Sequence, residues 1–190
     1  MILTVLLSIS FFALFIINLQ KHAGVSYVKS PVDNRYYRVR NRNDKESAAI
    51  RLSHINKKVT DFIACCRKKY PNDERYIRLE NKYNADRLHE RPESSQFAAY
   101  AVNKGEDIFV CVRENNDGDV FTEKDTDILM YVVLHELAHV ASLSVGHTRE
   151  FWDNYSDLLE KAETCGVYSS ENFTKKKYLQ YCGIQLKIKN

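Results

Sequence analysis

The stretch from Ile128 to Leu143 places the tightest constraint on the fold, because it is almost continuously apolar yet contains His135, Glu136 and His139. Its length and composition predict a helix that is apolar on most faces, and such a helix lies in the middle of a domain. Ionisable side chains on a buried helix require partners or a bound ligand, because burial of an unpaired charge is costly. We therefore expect a central helix that carries a functional site.

The segment His135–His139 reads His-Glu-Leu-Ala-His, which is the pattern His-Glu-x-x-His. Residues four apart on a helix share one face, so the imidazoles of His135 and His139 can reach one ion. Glu136 is displaced by about 100° around the helix axis and can approach that ion without being a ligand. Neutral imidazoles are typical zinc ligands. The pattern predicts that Zn²⁺ binds here and that Glu136 is the general base in peptide-bond hydrolysis by zinc-activated water.

A catalytic zinc site needs a third protein ligand. His147 directly follows Gly146, and a glycine at a helix end lets the chain reverse toward the two histidines. The alternative ligand is a carboxylate on the next predicted helix, at Asp157, Glu160 or Glu163. The spacing alone leaves both choices open.

His135–His139, followed by Gly146-His147-Thr148-Arg149-Glu150-Phe151-Trp152, resembles the WLM/YgjP/SprT-like group of zincins. In that group HExxH is followed by a short turn and a third histidine, with Phe-Trp or Phe-Tyr close behind. The resemblance implies that His147 is the third ligand and that Phe151 and Trp152 form a packing anchor. Short, N-terminally anchored members are predicted in large DNA viruses, and this chain is similar to them in size and layout.

The group includes DNA–protein crosslink proteases, which use additional DNA-binding elements. We find no clear nucleic-acid-binding element here, and a net charge of +3 is too small to indicate one. The expected partner is a protein or peptide substrate. The alternative function is a zinc-stabilised, non-catalytic membrane adaptor with a zincin fold. Glu136 argues against the adaptor, because a purely structural zinc site does not need that carboxylate.

The runs Phe97–Val102 and Ile108–Val112 are apolar and are separated by a polar segment that contains Gly105. They predict an antiparallel hairpin in front of the central helix. An edge strand near the metal commonly pairs with an extended substrate in zincin folds, and we expect Ile108–Val112 to be that strand. The predicted fold class is α+β: a zincin-like domain with a small antiparallel sheet and a central active-site helix, preceded by one transmembrane helix.

The run from Met1 to Leu19 contains no charged side chain and would span roughly 28 Å as a helix, close to the thickness of a bilayer core. A cleaved signal peptide and a buried core helix are the alternatives to an uncleaved anchor. No basic residue precedes the run and several follow it, which predicts a single-pass membrane protein with a cytosolic catalytic domain. The expected organisation is an anchor at 1–20, a juxtamembrane linker at 21–45 and a metallopeptidase domain at 46–190.

The chain has five cysteines and no Cys-x-x-Cys spacing. An odd count argues against a full disulfide framework, and the spacing argues against a thiolate zinc site. We expect mainly free, buried cysteines in a reducing compartment. A bridge between Cys165 and Cys182 is the open alternative.

Overall fold

The computed structural model describes residues 24–114, 118–170 and 178–187. The described chain begins with strands β1 (Val25–Lys29) and β2 (Tyr36–Arg40), which form an antiparallel hairpin. Tyr37 and Val39 of β2 are buried in the core, on either side of the less buried Arg38. This hairpin lies within residues 21–45, so the prediction of a linker over that range is wrong.

Helices α1 (Lys45–Lys69) and α2 (Glu74–Lys82) follow. The buried residues of α1 recur every three or four positions and form one apolar stripe, which includes Leu52, Ile55, Val59, Phe62 and Cys66. Helix α2 begins after Asp73, whose side chain accepts a hydrogen bond from the backbone N–H of Arg75. Both helices contribute to one core with the elements that follow.

Strands β3 (Leu88–Glu90), β4 (Ala99–Val102) and β5 (Asp107–Val110) form a three-stranded sheet with β5 in the centre. Strands β4 and β5 are antiparallel, so the predicted hairpin is confirmed. The sheet is mixed and not antiparallel, because β3 runs parallel to β5. Gly105 lies in the hairpin turn with φ +103°, and a Cβ there would come within 2.9 Å of the Val140 side chain. The turn therefore packs directly against the central helix.

Helix α3 (Thr126–Ala141) is the predicted central helix, and α4 (Arg149–Thr164) packs against it. Most α3 residues are buried, including Leu134, Leu137 and Val140 with no exposed surface. Helix α3 also contacts α2 and β4, so it lies between the other helices and the sheet. The α+β class and the central helix of the prediction are thus present.

A buried ionic cluster connects β2, β3 and the segment after β5. The Glu90 side chain is 1% exposed and accepts a hydrogen bond from Arg113 Nε at 2.6 Å. The other Glu90 oxygen accepts from the backbone N–H of Arg40 at 2.7 Å. Arg113 also forms an ion pair with Asp44 at the start of α1. One carboxylate therefore holds three parts of the chain together.

Strands β6 (Tyr178–Tyr181) and β7 (Ile184–Lys187) form a C-terminal hairpin, which a Cys111–Cys182 disulfide connects to the segment after β5. A second disulfide, Cys65–Cys165, connects α1 to the end of α4. Cys66 is the one free cysteine and is buried. The expectation of mainly free cysteines is therefore wrong, and so is the alternative Cys165–Cys182 bridge.

The prediction of a transmembrane helix, and with it the single-pass localisation with a cytosolic domain, has to be withdrawn. In the described part of the chain no helix is long and apolar enough to cross a membrane. The predicted span itself, residues 1–20, lies outside the described residues.

Candidate metal centre

Three imidazoles converge at the C-terminal end of α3. His135 and His139 lie one turn apart on the helix, and His147 comes from the loop between α3 and α4. Their nitrogens lie within 4.8 Å of one another, and the Nε2 atoms of His135 and His147 are 3.0 Å apart. Nitrogens bound tetrahedrally to one zinc at about 2.0–2.1 Å would be about 3.3 Å apart. The donor set and its spacing therefore fit a zinc ion.

The structure does not bring the alternative third ligands to the two helix histidines. Each of these three carboxylates has another partner. Asp157 accepts a hydrogen bond from the Tyr76 hydroxyl and forms an ion pair with Arg75 at 3.1 Å. Glu160 forms an ion pair with Lys161 at 2.7 Å, and Glu163 accepts a hydrogen bond from the Ser170 N–H at 2.8 Å. Within the described residues, the three histidines form the one group of three or more potential ligands close enough to hold a metal.

Aromatic side chains of α4 surround the imidazoles, and Phe151 contacts all three with ring-centroid distances of 4.3–4.8 Å. The ring centroids are 4.3 Å apart for His139 and Phe151, 5.5 Å for His147 and Trp152, and 5.2 Å for His135 and Tyr155. Phe151 is fully buried, as expected for a packing anchor, whereas Trp152 is half-buried and lines the cleft beside the histidines. These contacts restrict the orientation of each ring.

Burial holds the two helix imidazoles in the neutral form that binds metals. It lowers the pKa of His135 to about 3 and that of His139 to about 4, and the neighbouring imidazoles act in the same direction. The ammonium of Lys104 lowers the pKa of His139 further. Both side chains are therefore uncharged at neutral pH before any metal arrives.

Glu136 is 5% exposed and faces the same cleft. Burial raises the pKa of its carboxyl to about 7, although a hydrogen bond with the backbone of Ala101 in β4 opposes the shift. A carboxyl group with a pKa near neutrality can both accept and return a proton at physiological pH. This is the behaviour expected of a general base.

The cleft has a volume of about 990 Å³ and is lined mostly by apolar and aromatic side chains. Phe97 and Val145 line it while remaining 66% and 85% exposed. Among the described residues that line the cleft, Lys104 and Glu136 are the only members of the group Lys, Arg, Asp and Glu. The cleft therefore has few charges with which to select a charged side chain.

Among the described strands, β4 is the edge of the sheet that lies beside the histidines. The predicted substrate strand, Ile108–Val112, cannot be an edge, because β5 pairs with β3 on one side and β4 on the other. The N–H of Cys111 donates to the carbonyl of Ala98 at 2.9 Å, and antiparallel hydrogen-bonded pairs recur every second residue. Ala99 and Ala101 therefore direct their backbone polar groups away from β5. Ala101 directs its N–H to Glu136, so this edge faces the candidate site.

The loop between α3 and α4 is held from both sides. Lys104 Nζ donates to the carbonyls of Ser142, Leu143 and Ser144 at 2.5–2.8 Å. The Glu150 carboxylate accepts from the N–H groups of Leu143 and Ser144 at 2.7 and 2.9 Å. Hydrogen bonds from Ser144 and Leu143 lower the pKa of Glu150 to about 2.

Sequence reasoning did not identify Lys104, Glu150 or Tyr155 as parts of this site. Tyr155 lies four residues after Phe151 and therefore on the same helix face. This spacing could have identified Tyr155 as a neighbour of the histidines from the sequence alone. Lys104 has no local signal, because its three acceptors are 38 to 40 residues away along the chain.

The chain is similar to several known proteins. The family model of the WLM domain matches residues 31–180. The chain is 30% identical over 188 residues to the uncharacterized protein R325 of Acanthamoeba polyphaga mimivirus, covering 96% of this chain and 93% of that protein. It is 32% identical over 116 residues to the uncharacterized protein 136R of Invertebrate iridescent virus 6, covering 61% and 60%. The crystal structure of Wss1 from Saccharomyces cerevisiae matches with 23% identity and a TM-score of 0.48, covering 65% of this chain and 83% of that one.

Proposed function

This chain belongs to the WLM domain family, and from that premise we propose that it is a zinc-dependent metallopeptidase. The observation that carries the proposal is the convergence of three imidazoles beside a buried carboxylate in one cleft. Three protein ligands are typical of catalytic zinc sites, whereas structural zinc sites typically have four.

His135, His139 and His147 would hold the ion. When bound, zinc supplies a Lewis acid that polarises a water molecule and the carbonyl of the scissile peptide bond. Phe151, Trp152 and other α4 side chains keep the three rings oriented before the ion binds. This arrangement reduces the reorganisation that binding requires.

Glu136 would act as the general base. Its carboxylate accepts the proton that the attacking water loses, and it can return that proton to the amine that leaves. The buried position and the pKa of about 7 support both transfers at neutral pH. The backbone N–H of Ala101 keeps the carboxylate on the side of the cleft that β4 borders.

The proposed substrate is an extended polypeptide segment that lies along β4. The backbone N–H and C=O of Ala99, which point away from β5, can pair with such a segment as an added strand. Alanines on this edge leave room for the substrate, and the apolar walls favour large apolar side chains near the scissile bond. Folded proteins bury such side chains, so we expect unfolded or flexible segments to be cleaved.

The experiment is a comparison of zinc content and cleavage in purified variants. The wild type should bind one zinc per chain and cleave a reduced and alkylated, unfolded protein. His135→Ala and His139→Ala should lose stoichiometric zinc. Glu136→Gln should keep its zinc while cleavage falls by about 10²–10⁴-fold, because glutamine cannot accept the proton. Glu46→Gln, an exposed glutamate on α1, is the matched control and should be unchanged.

Two results would count against the proposal. Full zinc occupancy in His135→Ala or His139→Ala would refute the metal site. A wild type that contains zinc yet cleaves no unfolded substrate would refute the enzyme and leave a zinc-stabilised scaffold that binds partners without turnover.

A further inference from the structure

We propose that Lys104 and Glu150 are positioning residues that hold the loop Ser142–His147, and through it the imidazole of His147, at the metal site. The inference rests on the proposed function, because it takes His147 as a zinc ligand. It concerns how the third ligand is placed, which neither the His-Glu-x-x-His pattern nor the glycine before His147 explains.

His147 differs from the other two histidines in how it is supported. Helix α3 fixes His135 and His139, whereas His147 is exposed and lies on irregular backbone. The neighbouring apolar side chains do not anchor this backbone, because Leu143 is 71% exposed and Val145 is 85% exposed. Gly146 has φ +82° and no atom within 4 Å of a Cβ position. Polar contacts must therefore determine where the loop lies.

Lys104 supplies these contacts on the carbonyl side. An ammonium group has three donors, and here three successive carbonyls accept from it. These carbonyls follow directly after the last residue of α3, near the negative end of the helix dipole, where a cation is favourable. Lys104 also has φ +55°, a left-handed conformation that is unusual for a residue with a side chain. The hairpin turn thus maintains an uncommon backbone geometry at the residue that holds the loop.

Glu150 supplies the contacts on the amide side. Its two carboxylate oxygens accept from two successive N–H groups, those of Leu143 and Ser144. Ser144 is consequently held at its carbonyl by Lys104, at its N–H by Glu150, and at its hydroxyl by Thr148 at 2.6 Å. Thr148 in turn caps α4, which supports Trp152 against His147. The loop therefore has a fixed point three residues before the third histidine.

Lys104 also connects the loop to the cleft. It lies in the turn between β4 and β5, and the next residue, Gly105, packs against Val140 of α3. The β4–β5 hairpin, which borders the cleft, is therefore joined to the loop that carries the third ligand. A displacement of this turn would release the loop.

The test is a double-mutant cycle on zinc affinity, measured by competition with a chromophoric chelator. Lys104→Met keeps the length of the side chain and removes its donors, and we expect zinc to bind about 10- to 100-fold more weakly. Loss of a positive charge would by itself strengthen binding of a cation, so weaker binding indicates lost positioning. In the His147→Ala background the same substitution should change the affinity less than about threefold, because the ligand that it positions is gone.

Glu150→Gln tests the contacts on the amide side of the loop. It should also weaken zinc binding in a way that depends on His147, but by a smaller factor than Lys104→Met. The matched control is Lys58→Met, since Lys58 Nζ also donates to a backbone carbonyl, that of Val167 at 2.9 Å, away from the cleft. Lys58→Met should keep wild-type zinc affinity. The melting temperature of each zinc-free variant shows whether it is folded. If Lys104→Met does not fold, the zinc affinity of Glu150→Gln decides the test.

The outcomes separate this inference from the proposed function. Wild-type zinc affinity in both Lys104→Met and Glu150→Gln would overturn the positioning role, even if the zinc-free proteins melt earlier. An equal loss of zinc affinity in the presence and absence of His147 would also overturn it, because Lys104 would then not act through that ligand. A wild type that binds no zinc, or a His147→Ala variant with full affinity, would instead refute the metal site on which the inference rests.

Discussion

Removal of the Cys65–Cys165 disulfide should lower the free energy of unfolding by about 2–4 kcal/mol. The perturbation is the double substitution of both cysteines by serine. The bridge closes a segment with a sequence separation of 100 residues. Loop-closure entropy for a crosslink of that length gives a ceiling of about 4.7 kcal/mol at 25 °C. The expected loss is smaller, because the overlapping Cys111–Cys182 bridge already restricts the unfolded chain.

The effect should come from the crosslink and not from packing, because Cys65 and Cys165 are only half-buried and serine is similar in size. Urea denaturation of the oxidised proteins measures both stability and its dependence on urea. The variant should unfold at lower urea and with a steeper slope, because its unfolded state exposes more surface. Alkylation of the denatured, unreduced wild type should label one cysteine of five, Cys66. Equal midpoints, or five reactive thiols in protein purified under oxidising conditions, would refute this reasoning.

Further substitutions test other parts of the structure. Gly105→Ala should destabilise the protein by about 1–3 kcal/mol in urea, and by more than Gly166→Ala, which has φ +69° but no atom near its Cβ position. Glu90→Ala should cost about 3–5 kcal/mol in the same assay, because it removes the buried carboxylate that pairs with the buried guanidinium of Arg113; a loss below 1 kcal/mol would contradict the role of the cluster. Phe97→Ser should leave stability unchanged and raise KM about 5- to 30-fold for peptides with large apolar residues, but not for matched polar peptides; equal changes for both would exclude Phe97 from substrate selection.

The sequence predicted the parts of the candidate site that depend on local spacing. His135, Glu136 and His139 lie within five residues of one helix, and helix geometry alone determines how their side chains are arranged. Gly146 predicts one reversal of the chain after the helix, which brings His147 toward the same two histidines. The hairpin that precedes the helix was also predictable, because its two strands are adjacent in the sequence and its turn contains Gly105.

Contacts between distant segments could not be predicted in this way. Strand β3 is three residues long, too short to show a period of two, and it is defined only by its parallel register with β5. Without β3, the strand Ile108–Val112 looked like an edge, and the substrate was assigned to the wrong strand. The disulfides join residues 100 and 71 positions apart, and the sequence does not indicate which cysteines pair. The β1–β2 hairpin was overlooked because residues 21–45 are mostly polar, contain Pro31 and show no sustained period, which we interpreted as a linker.

The same distinction applies within the metal centre itself. Two of its imidazoles are placed by one turn of helix, but the third depends on hydrogen bonds between a hairpin turn and a loop about 40 residues later in the chain. A chain with all three histidines but no donor at position 104 would retain the pattern while its loop lost the three hydrogen bonds to its carbonyls. Two imidazoles on a helix bind zinc more weakly than three, because each ligand contributes to affinity. The histidine pattern therefore identifies where a zinc ion can bind, and the residues around Lys104 and Glu150 determine how well the complete site is assembled.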